Sequence, residues 1–215
     1  MKHKITRLTV QKRNRQRVNV FLDGEFAFGL ARIVAAWLHV GQEIDDDKIT
    51  QLQDKDARET AYKQALTYLS YRPRSEKEVR QNLQKHDITH EVQETVLERL
   101  RDNGMVDDVH FAQVWVENRS ELRPRGRRLL VYELRQRGID QGIIEQTLEG
   151  LDEEKLAYHA AVKQSRKLQN LEWEGFRKKM YGFLSRRGFN YQVSKEVISQ
   201  IWEDQQTKSD GKIKF

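Results

Sequence analysis

The chain has 215 residues, a formal net charge of +6 and no cysteine, and 33% of its residues are charged. The absence of cysteine excludes a disulfide framework, a thiolate metal site and a thiol nucleophile, while the excess of basic residues favours an acidic partner such as nucleic acid. The opening MKHKITRLTV lacks an apolar run, and the longest such run, IVAAWL, is far shorter than the roughly 20 residues a bilayer requires, so we expect a soluble, cytoplasmic protein.

The first 44 residues predict a small β-rich module. Short β-branched runs occur at ITRLTV and RVNVFL, and Asp23-Gly24 separates the second run from a third, which is typical of a hairpin turn. The following GLARIVAAWLHVG predicts a short helix that ends at Gly41. We therefore expect a three-stranded sheet with one helix, followed by EIDDDKITQLQDKD as a charged connector.

From about residue 56 onward, apolar residues recur at steps of three and four, which is typical of helices. The pattern occurs three times, and one aligned column holds Leu83, Leu134 and Leu184. Further apolar and N-cap columns follow in the same order in each copy: Ile88, Ile139 and Phe189; Thr89, Asp140 and Asn190; Leu97, Leu148 and Ile198. Asp87, Gly138 and Gly188 occupy the positions where a helix end favours a left-handed residue. The chain therefore contains an internal repeat.

Each copy predicts three helices, so the fold class is mainly α. A three-helix unit buries little apolar surface alone, and the copies are therefore expected to stack into an elongated, curved array with a broad binding surface. The predicted divisions are residues 1–50 for the N-terminal module, 51–105, 106–154 and 155–206 for the three repeats, and 207–215 for a disordered tail. The four tryptophans have apolar neighbours, and we predict core positions for them rather than stacking platforms.

The segment LRPRGRRLL, at the predicted start of a helix in the second copy, contains four arginines. A cation at a helix N-terminus is disfavoured by up to about 1 kcal/mol. The first copy has Ser75, Glu76 and Glu78 at the matching positions, which predicts an ordinary capping box. We interpret the arginines of the second copy as lacking a counter-charge within the chain, so that an anion of a partner neutralises them.

Charge also segregates between helices. The second helices of copies two and three are basic and the third helices are acidic, so copies stacked in register would form a basic stripe. Two alternatives stay open: solvated faces that pair with neighbouring helices, and a DNA minor-groove hook at PRGR, although such hooks carry a second proline that is absent here.

The sequence contains no Gly-rich phosphate loop. His86 and His90, with Asp87 and Glu91 beside them, suggest a metal site, but they straddle a predicted break between helices, which favours surface histidines at a turn. A metal-assisted nuclease that uses His86 is the remaining catalytic alternative. We expect no enzyme activity, no cofactor and no metal.

Two segments of the chain resemble the bacterial RecX family. One is the Gly-x-x-Asp-Asp-x-x-Phe-Ala pattern at 104–112, and the other is Arg-Pro-Arg-Gly at 123–126, followed by Glu-Leu and Gly-Ile at 133–139. Met105 stands where the family commonly has an aromatic residue or Leu. The third copy lacks the Arg-Pro-Arg segment, which puts its role in contacts in doubt.

The resemblance implies tandem three-helix repeats, a β-hairpin extension at residues 1–50 and a non-enzymatic modulator of the RecA recombinase. Such a protein binds the RecA–single-stranded-DNA filament and inhibits or remodels it. The alternative is a general basic nucleic-acid-binding module that competes for DNA. We expect a monomer whose partners are the RecA filament and single- or double-stranded DNA, with no membrane. The predicted contact residues are Arg123, Arg125, Arg127 and Arg128, with Arg135, Arg72, Arg74, Arg177 and Lys178 as secondary candidates.

Overall fold

A computed structural model describes the backbone of residues 1–210 and the side chains of residues 1–207. The chain divides into two compact units, Met1–Val106 and Asp107–Phe215. The first unit holds a β-sheet and the first repeat, and the second unit holds the other two repeats.

The sheet of the first unit has four antiparallel strands in the order β3-β2-β1-β4, one more than predicted. They are β1 (Lys2–Val10), β2 (Arg17–Leu22), β3 (Glu25–Ala31) and β4 (Glu43–Asp45). The predicted hairpin turn between β2 and β3 is confirmed: Asp23 and Gly24 have φ of 50° and 99°, as a type I′ turn requires.

The helix predicted after this hairpin is wrong over most of its length. Residues 29–31 extend β3 because Leu30 is fully buried in the sheet core, and the helical part is a 3-10 helix over Val34–Trp37. The prediction of Trp37 as a core residue is also wrong, since the residue is 89% exposed. Trp115, Trp173 and Trp202 pack against the helical cores as predicted.

The predicted connector is not a connector, because it forms β4 and the start of a long helix, α1 (Asp46–Leu69). Asp45 caps this helix by accepting a hydrogen bond from the Lys48 N–H at 2.8 Å, and acids in the first turn complement the helix dipole. The same helix contributes Leu52 to the sheet core and Ala61 to the core of the first repeat. The predicted boundary after residue 50 therefore falls inside α1.

The first repeat is completed by α2 (Glu76–Gln84) and α3 (His90–Asp102). The second repeat comprises α4 (Asp108–Leu122), α5 (Arg127–Gln136) and α6 (Gln141–Thr147). The third comprises α7 (Glu153–Ser165), α8 (Trp173–Arg186) and α9 (Tyr191–Asp210). The first four residues of the predicted tail thus belong to α9, and the rest of that prediction lies outside the described residues.

The three-copy register is confirmed by burial and backbone conformation. Leu83, Leu134 and Leu184 are all fully buried. The three residues predicted to be left-handed have positive φ: 58° at Asp87, 78° at Gly138 and 87° at Gly188. Within residues 1–210, no helix combines the length and the apolar character needed to span a membrane.

Candidate functional site

The N-terminus of α5 receives a counter-charge from the next repeat. Its N-cap, Gly126, has no side chain to offer, but the backbone N–H of Arg127 donates to the Glu153 carboxylate at 2.8 Å. Glu153 lies in the first turn of α7, so one carboxylate serves two helix N-termini. The expectation that this helix start lacks an internal anion is therefore wrong, because the anion comes from a distant part of the chain.

The Arg127 side chain turns away from its own helix N-terminus. Its guanidinium donates to the carbonyl of Leu148, the C-cap residue of α6. Helix C-termini carry partial negative charge, so the cation occupies a favourable position there. Arg127 therefore links two helix ends and contributes to structure, although it was predicted as a contact with a partner.

Gly126 is required by a close backbone approach. Its N–H donates to the Arg187 carbonyl at 2.9 Å, and a Cβ atom at this position would overlap the backbone of Gly188. The first repeat has Ser75 at the matching position, where the serine forms the predicted capping box with Glu78. The second repeat lacks that cap because a side chain there does not fit against the turn between α8 and α9.

Arg125 is held inside the second unit by Glu133, a buried residue of α5. The Glu133 carboxylate also accepts hydrogen bonds from Trp115 Nε1 at 2.9 Å and from Arg119 Nε at 3.2 Å. Removing one partner from such a buried pair leaves the other charge uncompensated. Arg125 is thus first a structural residue, and the prediction that it lacks an internal counter-charge is wrong.

Several other guanidinium groups act on Arg125. Burial lowers the pKa of Arg125, and neighbouring arginine charges lower it further, so the region is electropositive despite the ion pair with Glu133. Arginine nevertheless stays protonated in proteins. We call Arg125 and these neighbours the arginine cluster: Arg119, Arg123, Arg125, Arg137 and Arg187.

The arginine cluster is ordered by aromatic and backbone contacts. The guanidinium carbons of Arg119 and Arg137 lie 4.0 and 3.5 Å from the ring centroid of Trp115, at cation–π distance. Arg187 donates to the Pro124 carbonyl at 3.2 Å, and burial lowers its pKa, with a smaller effect from Arg123. The prediction omitted Arg187, although its place directly before a left-handed glycine of the repeat register was a usable signal.

Of the four arginines in the LRPRGRRLL segment, two remain available to a partner. Arg123, the C-cap of α4, and Arg128, in the first turn of α5, are both exposed. Guanidinium groups bind carboxylate or phosphate through paired hydrogen bonds, so these two exposed arginines suit an anionic ligand.

The secondary candidates are distributed over both units. In the first unit, Arg72 forms a two-point ion pair with Glu78 at 2.8 and 3.2 Å, which raises its pKa, and Arg74 lies 4.1 Å from the Tyr68 ring centroid. In the second unit, Arg135 donates to Gln141 at 2.8 Å. Arg177 is exposed and pairs with Glu174, and Lys178 is exposed beside it.

The histidine pair offers no grouping suited to a metal. His86 lies in the turn after α2, whereas His90 begins α3 and pairs with Glu94 at 3.4 Å. Within the described part of the chain, no three His, Cys, Asp or Glu residues are grouped so that they could hold a metal ion.

Comparisons with known proteins identify the family. Family models match four segments: the regulatory protein RecX N-terminal domain at residues 3–45, and the RecX first, second and third three-helix domains at 61–100, 107–148 and 152–198. A regulatory protein RecX from Bacillus pumilus is 32% identical over 212 residues, which cover 96% of this chain and 80% of the relative.

A second relative and a solved structure agree with these matches. The regulatory protein RecX of Clostridium botulinum is 31% identical and is matched over 95% of its length, against 92% of this chain. A crystal structure of regulatory protein RecX superimposes with a TM-score of 0.74 and 29% identity, covering 91% of this chain and 98% of the other. With most of its length matched by the four family models, the chain belongs to the RecX family of regulatory proteins.

Proposed function

We propose that this protein binds the RecA–single-stranded-DNA filament and inhibits or remodels it, modulating recombination and DNA repair in the cytoplasm without catalysing a reaction. Membership of a family of regulatory proteins supports a regulatory role. The observation that carries the proposal is the arginine cluster, in which Arg119 and Arg125 pair with the buried carboxylate of Glu133 and the other members lie near enough to lower the pKa of Arg125. The protein contacts acidic side chains or phosphates of the filament through exposed Arg123, a member of the cluster, and through exposed Arg128.

The repeats support a multivalent mode of action. Each repeat has its own buried core, and basic side chains are exposed in more than one of them. Once one repeat is bound, the chain holds the other repeats close to the filament and raises their effective concentration there, so several weak contacts yield a stable complex. A protein bound in this way bridges neighbouring filament subunits and acts below the concentration of RecA.

The second candidate function is a general nucleic-acid-binding module that competes with RecA for DNA, which the net charge of +6 favours. The salt dependence of binding distinguishes the two candidate functions. Binding dominated by phosphate contacts weakens with a slope of about −0.7 in log affinity against log salt per phosphate neutralised on a single strand. Contacts with the RecA protein lose less affinity and require RecA to be present.

The test is RecA ATP hydrolysis on single-stranded DNA, with this protein well below the RecA concentration. The informative variant is Arg123→Ala/Arg128→Ala, because Arg125 and Arg127 hold the folded structure and are left intact. Its half-inhibitory concentration should rise roughly tenfold or more, since hydrogen bonds to charged groups are strong. The charge-matched control, Lys12→Ala/Lys85→Ala, removes two exposed lysines of the first unit and should inhibit like the wild type.

Two results contradict the proposal. Inhibition that appears only when the protein saturates the DNA supports competition for DNA in its place. Equal loss of inhibition in the arginine variant and in the lysine control shows that net charge matters and that Arg123 and Arg128 have no specific role.

A further inference from the structure

A groove with a volume of about 550 Å³ lies between α8 and α9 of the third repeat. This volume is typical of sites that enclose a small molecule or part of a larger one. The third repeat lacks the Arg-Pro-Arg segment of the other two copies, so the groove offers a different kind of contact from the arginine cluster. It lies within the second unit, between two consecutive helices of one repeat.

The two helices line the groove with the same pattern of aromatic and basic residues. Trp173, Arg177 and Tyr181 follow one another at four-residue spacing on α8, and Tyr191 and Lys195 do so on α9. Residues four apart lie on one face of a helix, so each tyrosine has a cation one turn away. The pattern therefore alternates flat apolar rings with positive charges along both walls.

The tyrosine rings are accessible to a ligand. Tyr181 and Tyr191 meet edge to face, with ring centroids 5.8 Å apart and planes at 69°. The two residues are 38% and 63% exposed, so part of each ring faces water. Trp173 lies deeper, where it packs against Trp202 at 5.4 Å. The exposed faces of the two tyrosines are suited to stacking, while the tryptophan supports the wall behind them.

The groove is electropositive. Arg177, Lys178 and Lys195 line it, with Glu174 as the acid in its lining. Glu174 pairs with Arg177 at 2.9 Å, but both side chains are largely exposed, and such pairs hold their partners weakly. An anionic ligand therefore meets two cations in excess and can displace the acid from the third.

We propose that this groove binds a single-stranded nucleic acid, whose bases stack on Tyr181 and Tyr191 and whose phosphates contact Arg177, Lys178 and Lys195. Aromatic platforms combined with a basic groove are the general solution for binding unpaired strands, because every base has a flat face and every nucleotide has a negative charge. An acidic peptide satisfies the cations but leaves the tyrosine faces unused. The inference rests on the proposed function for its setting on the filament, but its test contains no RecA.

The test is the fluorescence anisotropy of a short fluorescein-labelled oligo(dT) titrated with the full chain. Tyr181→Ala/Tyr191→Ala should weaken binding by roughly fivefold to a hundredfold, the range for losing a stacked base. Tyr181→Phe/Tyr191→Phe keeps the rings and should bind within about twofold of the wild type. The control Tyr71→Ala/Tyr132→Ala removes two other exposed tyrosines and should leave binding unchanged.

A second variant addresses the phosphates. Lys195→Gln should reduce the slope of log affinity against log salt by about 0.7, the effect of one lost phosphate contact. Because Lys195 is an exposed residue of α9, this change leaves the core intact and stays informative if the double alanine variant fails to fold.

The inference is overturned if a folded double alanine variant binds oligo(dT) as the wild type does, or if the salt slope is unchanged in Lys195→Gln. It is also overturned if an oligoglutamate peptide displaces the oligo(dT) and binds the alanine variant more weakly than the wild type. That result would assign the groove to an acidic peptide. Oligo(dT) binding that depends on the tyrosines, without inhibition of RecA, would support the nucleic-acid site in the groove and contradict the proposed function. Inhibition of RecA, with oligo(dT) binding that does not depend on the tyrosines, would support the proposed function and contradict the site in the groove.

Discussion

The Glu153 carboxylate accepts a hydrogen bond from the backbone N–H of Arg127 at 2.8 Å, so an acid in the first turn of α7 completes the N-terminus of α5. The arginine-rich turn can therefore begin a helix without a side-chain cap of its own. The same contact joins the second and third repeats of the chain within one compact unit.

We expect Glu153→Gln to lower the free energy of unfolding by about 1 kcal/mol, because it removes the negative charge from the N-termini of both α5 and α7. Urea denaturation measures the change. Glu154→Gln is the matched control: Glu154 is also in the first turn of α7 but is exposed, and its loss should cost less than half as much. Equal effects of the two changes would mean that Glu153 acts on α7 alone.

We expect Gly126→Ala to destabilise the protein by about 1–3 kcal/mol, because its Cβ atom would overlap the backbone of Gly188. The φ of Gly126 is −74°, which alanine adopts freely, so backbone strain at this residue makes no contribution. Thermal unfolding checks the result. In the control Gly175→Ala, the added Cβ atom lies at an ordinary 3.8 Å from the Leu171 Cβ atom, and the helix should gain stability from alanine. A stable Gly126→Ala variant would contradict the close approach of the two glycines.

The N-terminal module should show a pH-dependent stability that depends on His3. Its ring nitrogens bond to Asp23 at 3.0 Å and to Asp46 at 3.2 Å, which raises the pKa of His3 above its ordinary 6.5. The pKa of Asp23 is lowered from 3.8 by its bond from the Lys4 backbone and by His3, and the pKa of Asp46 is lowered by the chain amino group and by His3.

The directions of these pKa shifts define the pH range in which His3 stabilises the fold. A raised histidine pKa adds stability that is complete below about pH 6.5 and is lost as the pH rises through the folded value, while lowered aspartate pKa values add stability that is lost in acid. His3→Gln should therefore lower the Tm most between about pH 4 and 6.5, the ordinary pKa values of the two side-chain types, and the difference from the wild type should shrink as the pH rises further. In the control His86→Gln, which changes an exposed turn residue outside this module, the pH window of the wild type should persist. A difference that is constant with pH would contradict the role of His3 charge.

Elements that depend on short-range chemistry could be predicted from the sequence. The hairpin turn at Asp23-Gly24 and the left-handed residue at Gly138 follow from local steric preference, and the column of Leu134 follows from helical periodicity. The strand Glu43–Asp45 was missed because three residues form a strand only where an existing edge, here β1, accepts them. The sequence does not distinguish a connector from a helix start at Asp45, because acidic residues are common in both.

The sequence by itself determined the three-copy register, the basic character of the second helices of copies two and three, and the family. Only the tertiary structure decided which arginines of the turn are available to a partner. Arg125 and Arg127 differ from Arg123 and Arg128 in having partners inside the fold, and the contacts that complete this turn come from Glu153 and Arg187, 26 and 63 residues away from the groups they meet. The local sequence shows where a helix ends and which backbone N–H and C=O groups need partners there. The partners themselves are brought to the helix end only by tertiary packing.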